Sequence, residues 1–364
     1  MAMIPRRETR AVFKGDVQVG GGAPVTVQSM TTTHTEDVAG TVGQIGELAE
    51  LGCQIIRVAV PTLDAARAIG HIRAQIGLPL VADIHFDHRL ALASIGQGAD
   101  CIRINPGNLR SRDDVAEVVR AARDAGISIR VGVNSGSVRE RKGLEIADRG
   151  GDLAGLMVEA AREHCAMIES LGFGDVVVSL KASDVPTTLA ANRAFAEQTD
   201  YPLHLGVTEA GTAATGTVKS AVGIGTLLAE GIGDTIRVSL TGRPHDEVRV
   251  GHEILRSLGL EHRGIEIVSC PTCGRCEIDL ARLVDEVRRK LPPTEQPLTV
   301  AVMGCVVNGP GEAAEADVGI AGGKGFGFLF RGGKKLRKVP EGRLADALVR
   351  EIESMLHDRA EDTA

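Results

Sequence analysis

The feature that most limits how this chain can fold is a regular alternation of short Val- and Ile-rich runs with amphipathic helical patterns between residues 25 and 258. The runs that predict strands are 25–30 (VTVQSM), 54–59 (QIIRVA), 79–85 (PLVADIH), 100–105 (DCIRIN), 128–134 (SIRVGVN), 175–181 (DVVVSLK), 202–208 (PLHLGVT) and 235–240 (TIRVSL). Helix-like segments lie near 40–51, 62–75, 88–96, 112–125, 151–171, 187–199, 214–230 and 244–258, several opening on Asp or Thr and closing at Gly. A helix after every strand returns the chain to the same edge, so the sheet must be parallel. Eight such units predict an α/β fold closed as a (β/α)8 barrel of the TIM type. A doubly wound open sheet is the runner-up, but the first strand–helix connection lacks the G-x-G-x-x-G fingerprint.

After Gly259 the rhythm changes. A strand ending at cysteines (IEIVSC), a charged helix at 277–290 and a Pro292-Pro293 break lead to a second apolar strand, LTVAVMGC. A Gly/Pro-rich turn, short strands near 317–321 and 325–330 and a final helix at 342–357 complete the pattern. The expected organisation is a barrel over 1–259 and a small α+β domain over 260–364. Gly319-Ile-Ala-Gly-Gly-Lys324 and Arg331-Gly332-Gly333-Lys334 read as hairpin turns, since the first is too short for a phosphate-binding P-loop and lacks its Ser/Thr.

Composition excludes several classes. Aromatics are only 2%, with no Trp, and the net charge is −7, which weighs against nucleic acid, whose binders use aromatic platforms and a basic excess. No apolar run is long enough to span a membrane, and no apolar segment follows the N-terminal arginine pair. The expectation is a cytoplasmic protein.

Side chains alternate in and out along a strand, so each barrel strand has one face toward the axis. The polar sets that share a face are Gln28 with Met30, Asp83 with His85, Arg103 with Asn105, Arg130 with Gly132 and Asn134, Ser179 with Lys181 and Ser183, and Arg237 with Ser239. Arg57 stands on the second strand, and Val207 leads to Glu209 on the seventh. Surfaces between sheet and helices are apolar, so these sets are expected inside the barrel, near the C-terminal ends of the strands where (β/α)8 enzymes build their sites. Five cations, Arg57, Arg103, Arg130, Lys181 and Arg237, would then share one mouth with two acids, Asp83 and Glu209. Buried like charges are costly without a counter-ion, and Arg forks match phosphate oxygens. A diphosphate-bearing small molecule is the predicted ligand, with Asn105, Asn134 and Ser239 as further contacts; structural salt bridges are the plainer alternative. His85 beside Asp83, and Glu209, are the candidate acid–base groups.

The seven cysteines are unevenly spread: Cys270, Cys273, Cys276 and Cys305 crowd the last quarter, while Cys53, Cys101 and Cys165 sit in apolar settings. Cys270-Pro-Thr-Cys273 places two thiols at a spacing that serves one metal centre, and Cys305 ends a neighbouring strand. A zinc ribbon needs a second such pair, which is absent. An iron–sulfur cluster is the reading that uses all three thiols, with Cys276 and a carboxylate from the turn after Cys305 both open as a fourth ligand.

The motifs SCPTCGRC and MGCVVNGPGEAAEADVG, with QSMTT, RVAVP, DIHFD, RINPGN, GVNSGS, SLKASD and VTEAG in the same order, resemble those of bacterial (E)-4-hydroxy-3-methylbut-2-enyl diphosphate synthases over nearly the whole chain. The resemblance implies a [4Fe–4S] cluster held by Cys270, Cys273, Cys305 and Glu312, the last also catalytic, with Cys276 a bystander. It implies reduction of 2-C-methyl-D-erythritol 2,4-cyclodiphosphate, with ring opening and loss of water, by two electrons from ferredoxin or flavodoxin. It further implies a homodimer whose active site is shared between subunits. The competing readings are a barrel enzyme acting on a pterin or sugar phosphate with a structural zinc, and a metal-stabilised binding protein whose barrel is inert.

Overall fold

The computed structural model describes residues 5–142, 152–292, 294, 296–307 and 309–361. The chain divides into two compact units, residues 1–261 and 262–364.

In the first unit a hairpin of β1 (Val12–Lys14) and β2 (Val17–Val19) precedes β3 (Thr26–Met30), β4 (Ile55–Ala59), β5 (Leu80–Asp83), β6 (Cys101–Ile104), β7 (Ser128–Asn134), β8 (Val176–Lys181), β9 (His204–Leu205) and β10 (Thr235–Ile236). The eight strands from β3 onward pair in parallel in the order β8-β7-β6-β5-β4-β3-β10-β9. A bridge between Val178 and Leu203 brings the two ends of that series together, closing the barrel. The helices are α1 (Val38–Glu50), α2 (Leu63–Arg73), α3 (His88–Gly96), α4 (Arg112–Asp124), α5 (Ser135–Lys142), α6 (Leu153–Ser170), α7 (Val185–Gln198), α8 (Ala213–Ala229) and α9 (Pro244–Ser257). Their starts are set by side-chain caps: Asp37, Thr62, Asp87, Ser111, Asp152 and Asp184 each accept a first-turn N–H, replacing helix bonds that a free N-terminus lacks.

The predicted (β/α)8 barrel is therefore present, with three differences. The seventh and eighth strands are two residues long in place of the predicted 202–208 and 235–240; Gly206, where a Cβ would lie 2.6 Å from the Arg237 carbonyl, marks where regular pairing ends and the strands crowd together. The β1–β2 hairpin was not predicted, because its short Val-Phe-Lys and Val-Gln-Val runs fall below any useful periodicity. The short α5 joins α6 between β7 and β8.

The second unit holds β11 (Ile265–Ser269), α10 (Leu280–Lys290), β12 (Leu298–Met303), α11 (Gly309–Ala314), β13 (Val318–Gly323), β14 (Phe326–Arg331), β15 (Lys334–Pro340) and α12 (Leu344–Glu361). Its strands form one sheet in sequence order, parallel from β11 to β13 and antiparallel thereafter. One face packs Val300, Val302, Ile320 and Leu329 with α10 and α12 residues such as Leu283 and Leu348; the other packs Ala301, Met303, Ala321 and Phe330 with Ala313 of α11. The turn predicted after Cys305 is the helix α11, since Pro310 near a helix start gives up no needed N–H. The stretch 319–324, predicted as a turn, is mostly β13; the reversal comes at Lys324-Gly325, where Gly325 has φ 76°. The strand β15 has no counterpart in the sequence pattern, because its exposed KKLRK run has no apolar alternation.

The barrel core lies between sheet and helices and is built from Ile, Val, Leu and Ala. Ile102, fully buried on the outer face of β6, is a typical member. Ile102→Ala should cost about 2–5 kcal/mol through lost burial and a residual cavity, read as a fall of several degrees in the unfolding midpoint by calorimetry.

Candidate active site at the barrel mouth

The strand registers carry the predicted inner face into one layer. Asp83 of β5 pairs with Arg103 of β6, Arg103 with Arg130 of β7, and Asn134 with Lys181 of β8. A pocket of about 130 Å³ is lined by Arg57, Asp83, His85, Arg103, Arg130, Asn134, Ser179, Lys181, Thr208, Arg237 and Ser239. The structure thus brings all five predicted cations together with Asp83, His85, Asn134 and Ser239.

Asp83 is the hub. Its carboxylate lies 3.2 Å from an Arg103 Nη, 3.9 Å from Arg57 Nε and 3.7 Å from His85 Nε2. Arg103 also reaches His85 Nε2 at 3.1 Å, fixing that half-exposed ring. Burial would push the Asp83 carboxyl up, but Arg57 foremost, with His85 and Arg103, holds it far below the usual carboxylate range. On the other side Glu247 of α9, buried and not predicted, accepts from Arg237 at 3.2 and 3.3 Å and from the Leu240 N–H at 3.0 Å. A carboxylate on the buried face of an amphipathic helix was the one sign of it in the sequence.

Arg130 and Lys181 pair with no carboxylate among the described residues. Arg130 donates to Gln28 Oε1 at 3.0 Å, and burial is the main cause that lowers it to about 10, Arg103 and Arg237 adding to it. Lys181 is held well below its ordinary value by burial and then by Arg130, Arg57, Arg237 and Arg103. Two glycines make the crowding possible. A Cβ on Gly132 would stand 2.5 Å from Arg103 Nε, and one on Gly206 2.7 Å from Lys181 Nζ.

Asn105 and Glu209 belong to a second, wider cavity of about 450 Å³ that shares His85, Arg103, Asn134 and Thr208 with the first. Asn105 is already engaged: its Oδ1 accepts from Gly107 N–H at 3.1 Å and its Nδ2 donates to Ser137 at 3.3 Å. Glu209 (φ 52°) and Phe86 (φ 64°) are the non-glycine residues in the left-handed region among the described residues. Both follow barrel strands at the mouth, and such strain is retained where surrounding structure fixes a functional loop. Phe86, exposed beside His85, was not predicted.

In the second unit, Ser269 pairs with Val302, so β11 and β12 end side by side and Cys270 and Cys305 leave the same edge of the sheet. The Gly304 N–H donates to Cys270 Sγ at 3.2 Å, which fixes the orientation of that sulfur at the strand ends. Cys273 is exposed, and the Arg275 backbone N–H is the main cause that lowers its thiol. Cys276 instead packs against Gly304 and donates to the Ile278 carbonyl at 3.2 Å. No three His, Cys, Asp or Glu side chains among the described residues form a ready single-ion site. An iron–sulfur cluster spreads its thiolates over several iron atoms and demands less mutual closeness than one tetrahedral ion. The donor set fits such a group. Glu312 falls in α11, but its side chain lies outside the described residues.

Fold and site define a (β/α)8-barrel protein with a cation-lined mouth, and an α+β unit whose cysteines follow neighbouring strand ends. The chain belongs to the GcpE family: the GcpE TIM-barrel domain matches residues 9–252 and the GcpE protein C-terminal domain matches residues 266–354. It is 54% identical over 354 residues to the 4-hydroxy-3-methylbut-2-en-1-yl diphosphate synthase (flavodoxin) of Geobacter sulfurreducens, covering 97% of this chain and 99% of that protein. To the enzyme of the same name from Symbiobacterium thermophilum it is 56% identical over 355 residues, covering 96% and 94%. The solved structure of Plasmodium falciparum HPPK-DHPS matches with a TM-score of 0.50 at 10% identity, over 77% of this chain and 53% of that one, a likeness of fold alone.

Gly132→Ala should displace the Arg103 guanidinium while leaving the strand intact. Pyrophosphate affinity by titration calorimetry is expected to fall about tenfold, the worth of one charge-assisted contact, with an unchanged circular dichroism spectrum.

Proposed function

We propose that this chain reduces 2-C-methyl-D-erythritol 2,4-cyclodiphosphate to (E)-4-hydroxy-3-methylbut-2-enyl diphosphate, opening the ring and expelling water in isoprenoid precursor synthesis. The observation that carries the reading is the pairing of Arg130 and Lys181 with no acid inside a pocket of five cations, in a chain more than half identical to enzymes named for that diphosphate product. The pterin or sugar-phosphate reading is not favoured.

In this reading Arg57, Arg103, Arg130, Lys181 and Arg237 grip the diphosphate, with Asn134 and Ser239 completing its contacts in the pocket and Asn105 lining the adjoining cavity for the rest of the substrate. Forked Arg donors fix both phosphoryl groups, and binding them supplies the charge that the mouth lacks. Asp83 holds Arg103 and His85 in place, and His85 or Glu209 delivers the proton with which the departing hydroxyl leaves as water when its C–O bond breaks. Cys270, Cys273, Cys305 and Glu312 are the proposed holders of a [4Fe–4S] cluster, which supplies single-electron transfer and a Lewis-acid iron. The engaged Sγ of Cys276 supports its omission. Relatives named for flavodoxin support flavodoxin over ferredoxin as donor. A homodimer sharing its active sites and a cytoplasmic location, where thiols stay reduced, complete the proposal; no helix among the described residues is long and apolar enough to cross a membrane.

The test is anaerobic reconstitution with iron and sulfide, then turnover of the cyclodiphosphate with reduced flavodoxin. Broad absorption near about 400 nm and formation of the hydroxylated diphosphate are expected. Stoichiometric zinc in the thiols, or no product from a loaded enzyme, would overturn the reading. Glu312→Ala should assemble a cluster yet lose or alter activity, whereas Cys276→Ser should be nearly silent. Arg130→Met should raise KM by about tenfold to a hundredfold, the loss of one or two charged hydrogen bonds to phosphate.

A further inference from the structure

The β1–β2 hairpin has no part in the scheme so far, yet it lies directly under the pocket. Val12 and Val19 pack with Ile55, Val81, Cys101 and Val177, each two residues before a pocket-layer residue on its strand: Arg57, Asp83, Arg103 and Ser179. The hairpin therefore plugs the floor of the barrel. Lys14, the last residue of β1, is 0% exposed, and its Nζ has no hydrogen-bond partner.

The groups that face it are Cys101 on β6, Arg130 on β7 and Arg57 on β4, with His204 on β9. His204 is itself fully buried with both ring nitrogens unpartnered, and burial, then Lys181, Arg130, Lys14 and Arg57, holds its imidazole well below the ordinary value. Asp100, beside Gly15, is taken up by Arg73 at 2.8 Å and the Leu80 N–H at 2.8 Å. Lys14 pairs with no carboxylate among the described residues. Burial first, opposed by Cys101 and then reinforced by Arg130 and Arg57, pushes its ammonium down to about 8.

An anion at the mouth changes this balance. It neutralises Arg130 and Arg57, the two charges that repel a proton on Lys14, and so favours the ammonium. We propose that Lys14 is a sixth basic group of the anion pocket, supplied from the floor by the N-terminal hairpin, and that it takes up a proton from solvent when an anion fills the mouth. Lys14 is then a positioning residue that matches the charge of the site to its occupancy. The proposal rests on the reading of the mouth as an anion pocket.

The test is calorimetric titration of the full-length protein with sulfate, a dianion with no titrating proton in this range, between about pH 7 and 9.5 in paired buffers of different ionisation enthalpy. Wild-type protein should take up part of a proton near about pH 8. Lys14→Met should bind about tenfold more weakly than wild type at pH 7, the gap closing to under about twofold by pH 9.5, because only protonated Lys14 contributes and wild type loses that proton as pH rises. Lys14→Arg, charged throughout, should keep its affinity at high pH and lose Lys14's share of the uptake. A wild-type to Lys14→Met ratio that does not change with pH, or wild-type uptake retained in Lys14→Arg, would overturn the proposal, and the second readout holds even if Lys14→Met fails to fold. Absence of sulfate binding to wild type at every pH would instead remove the anion-pocket reading itself.

Discussion

Mutual repulsion among Arg57, Arg103, Arg130, Lys181 and Arg237 is the constraint around which the barrel is arranged. Five cations share a pocket of about 130 Å³, out of bulk water, where each costs more than it would at the surface. Asp83 ties down Arg57 and Arg103, and Glu247 ties down Arg237. Arg130 and Lys181 are left to polar neighbours and to each other's field. In the proposed function, an anionic ligand releases the electrostatic free energy stored in such a site, which would concentrate binding on a phosphorylated group.

The rest of the first unit serves this arrangement. Strand registers set Asp83, Arg103 and Arg130 side by side, and a one-residue slip would turn all three into the apolar layer under the helices. Gly132 and Gly206 leave room that no other side chain would. Ile102, Ile129, Val131 and their neighbours on the outer faces supply the hydrophobic burial that offsets the cost. The left-handed Phe86 and Glu209 show the same trade at the loops, local strain held by a rigid frame.

Most of this was legible in the sequence because barrel strands have two distinct faces. Reading every second residue found Arg57, Asp83, His85, Arg103, Arg130, Asn134, Lys181, Arg237 and Ser239, all of which line one pocket. Glu247 is marked in the sequence only by its place on the apolar face of an amphipathic helix, which does not reveal its Arg237 partner on a strand. The charge imbalance is smaller for its presence, since Arg237 is not free. The N-terminal hairpin was too short for periodicity to register, and β15 too charged. Asn105 and Glu209 lay on the predicted rim, yet they line the wider neighbouring cavity, because strand alternation stops constraining direction once the chain enters a loop.

In the second unit the spacing of Cys270 and Cys273 and the strand before Cys305 were enough to expect thiols gathered at one sheet edge, and β11 beside β12 supplies the geometry. In the proposed function the barrel's cations are held together for a diphosphate. Thermal unfolding of the protein with increasing 2-C-methyl-D-erythritol 2,4-cyclodiphosphate tests it most directly. A midpoint that climbs with ligand, equivalent to about 2.7 kcal/mol at a hundredfold excess over Kd, is the predicted result, and a midpoint indifferent to the diphosphate would contradict it.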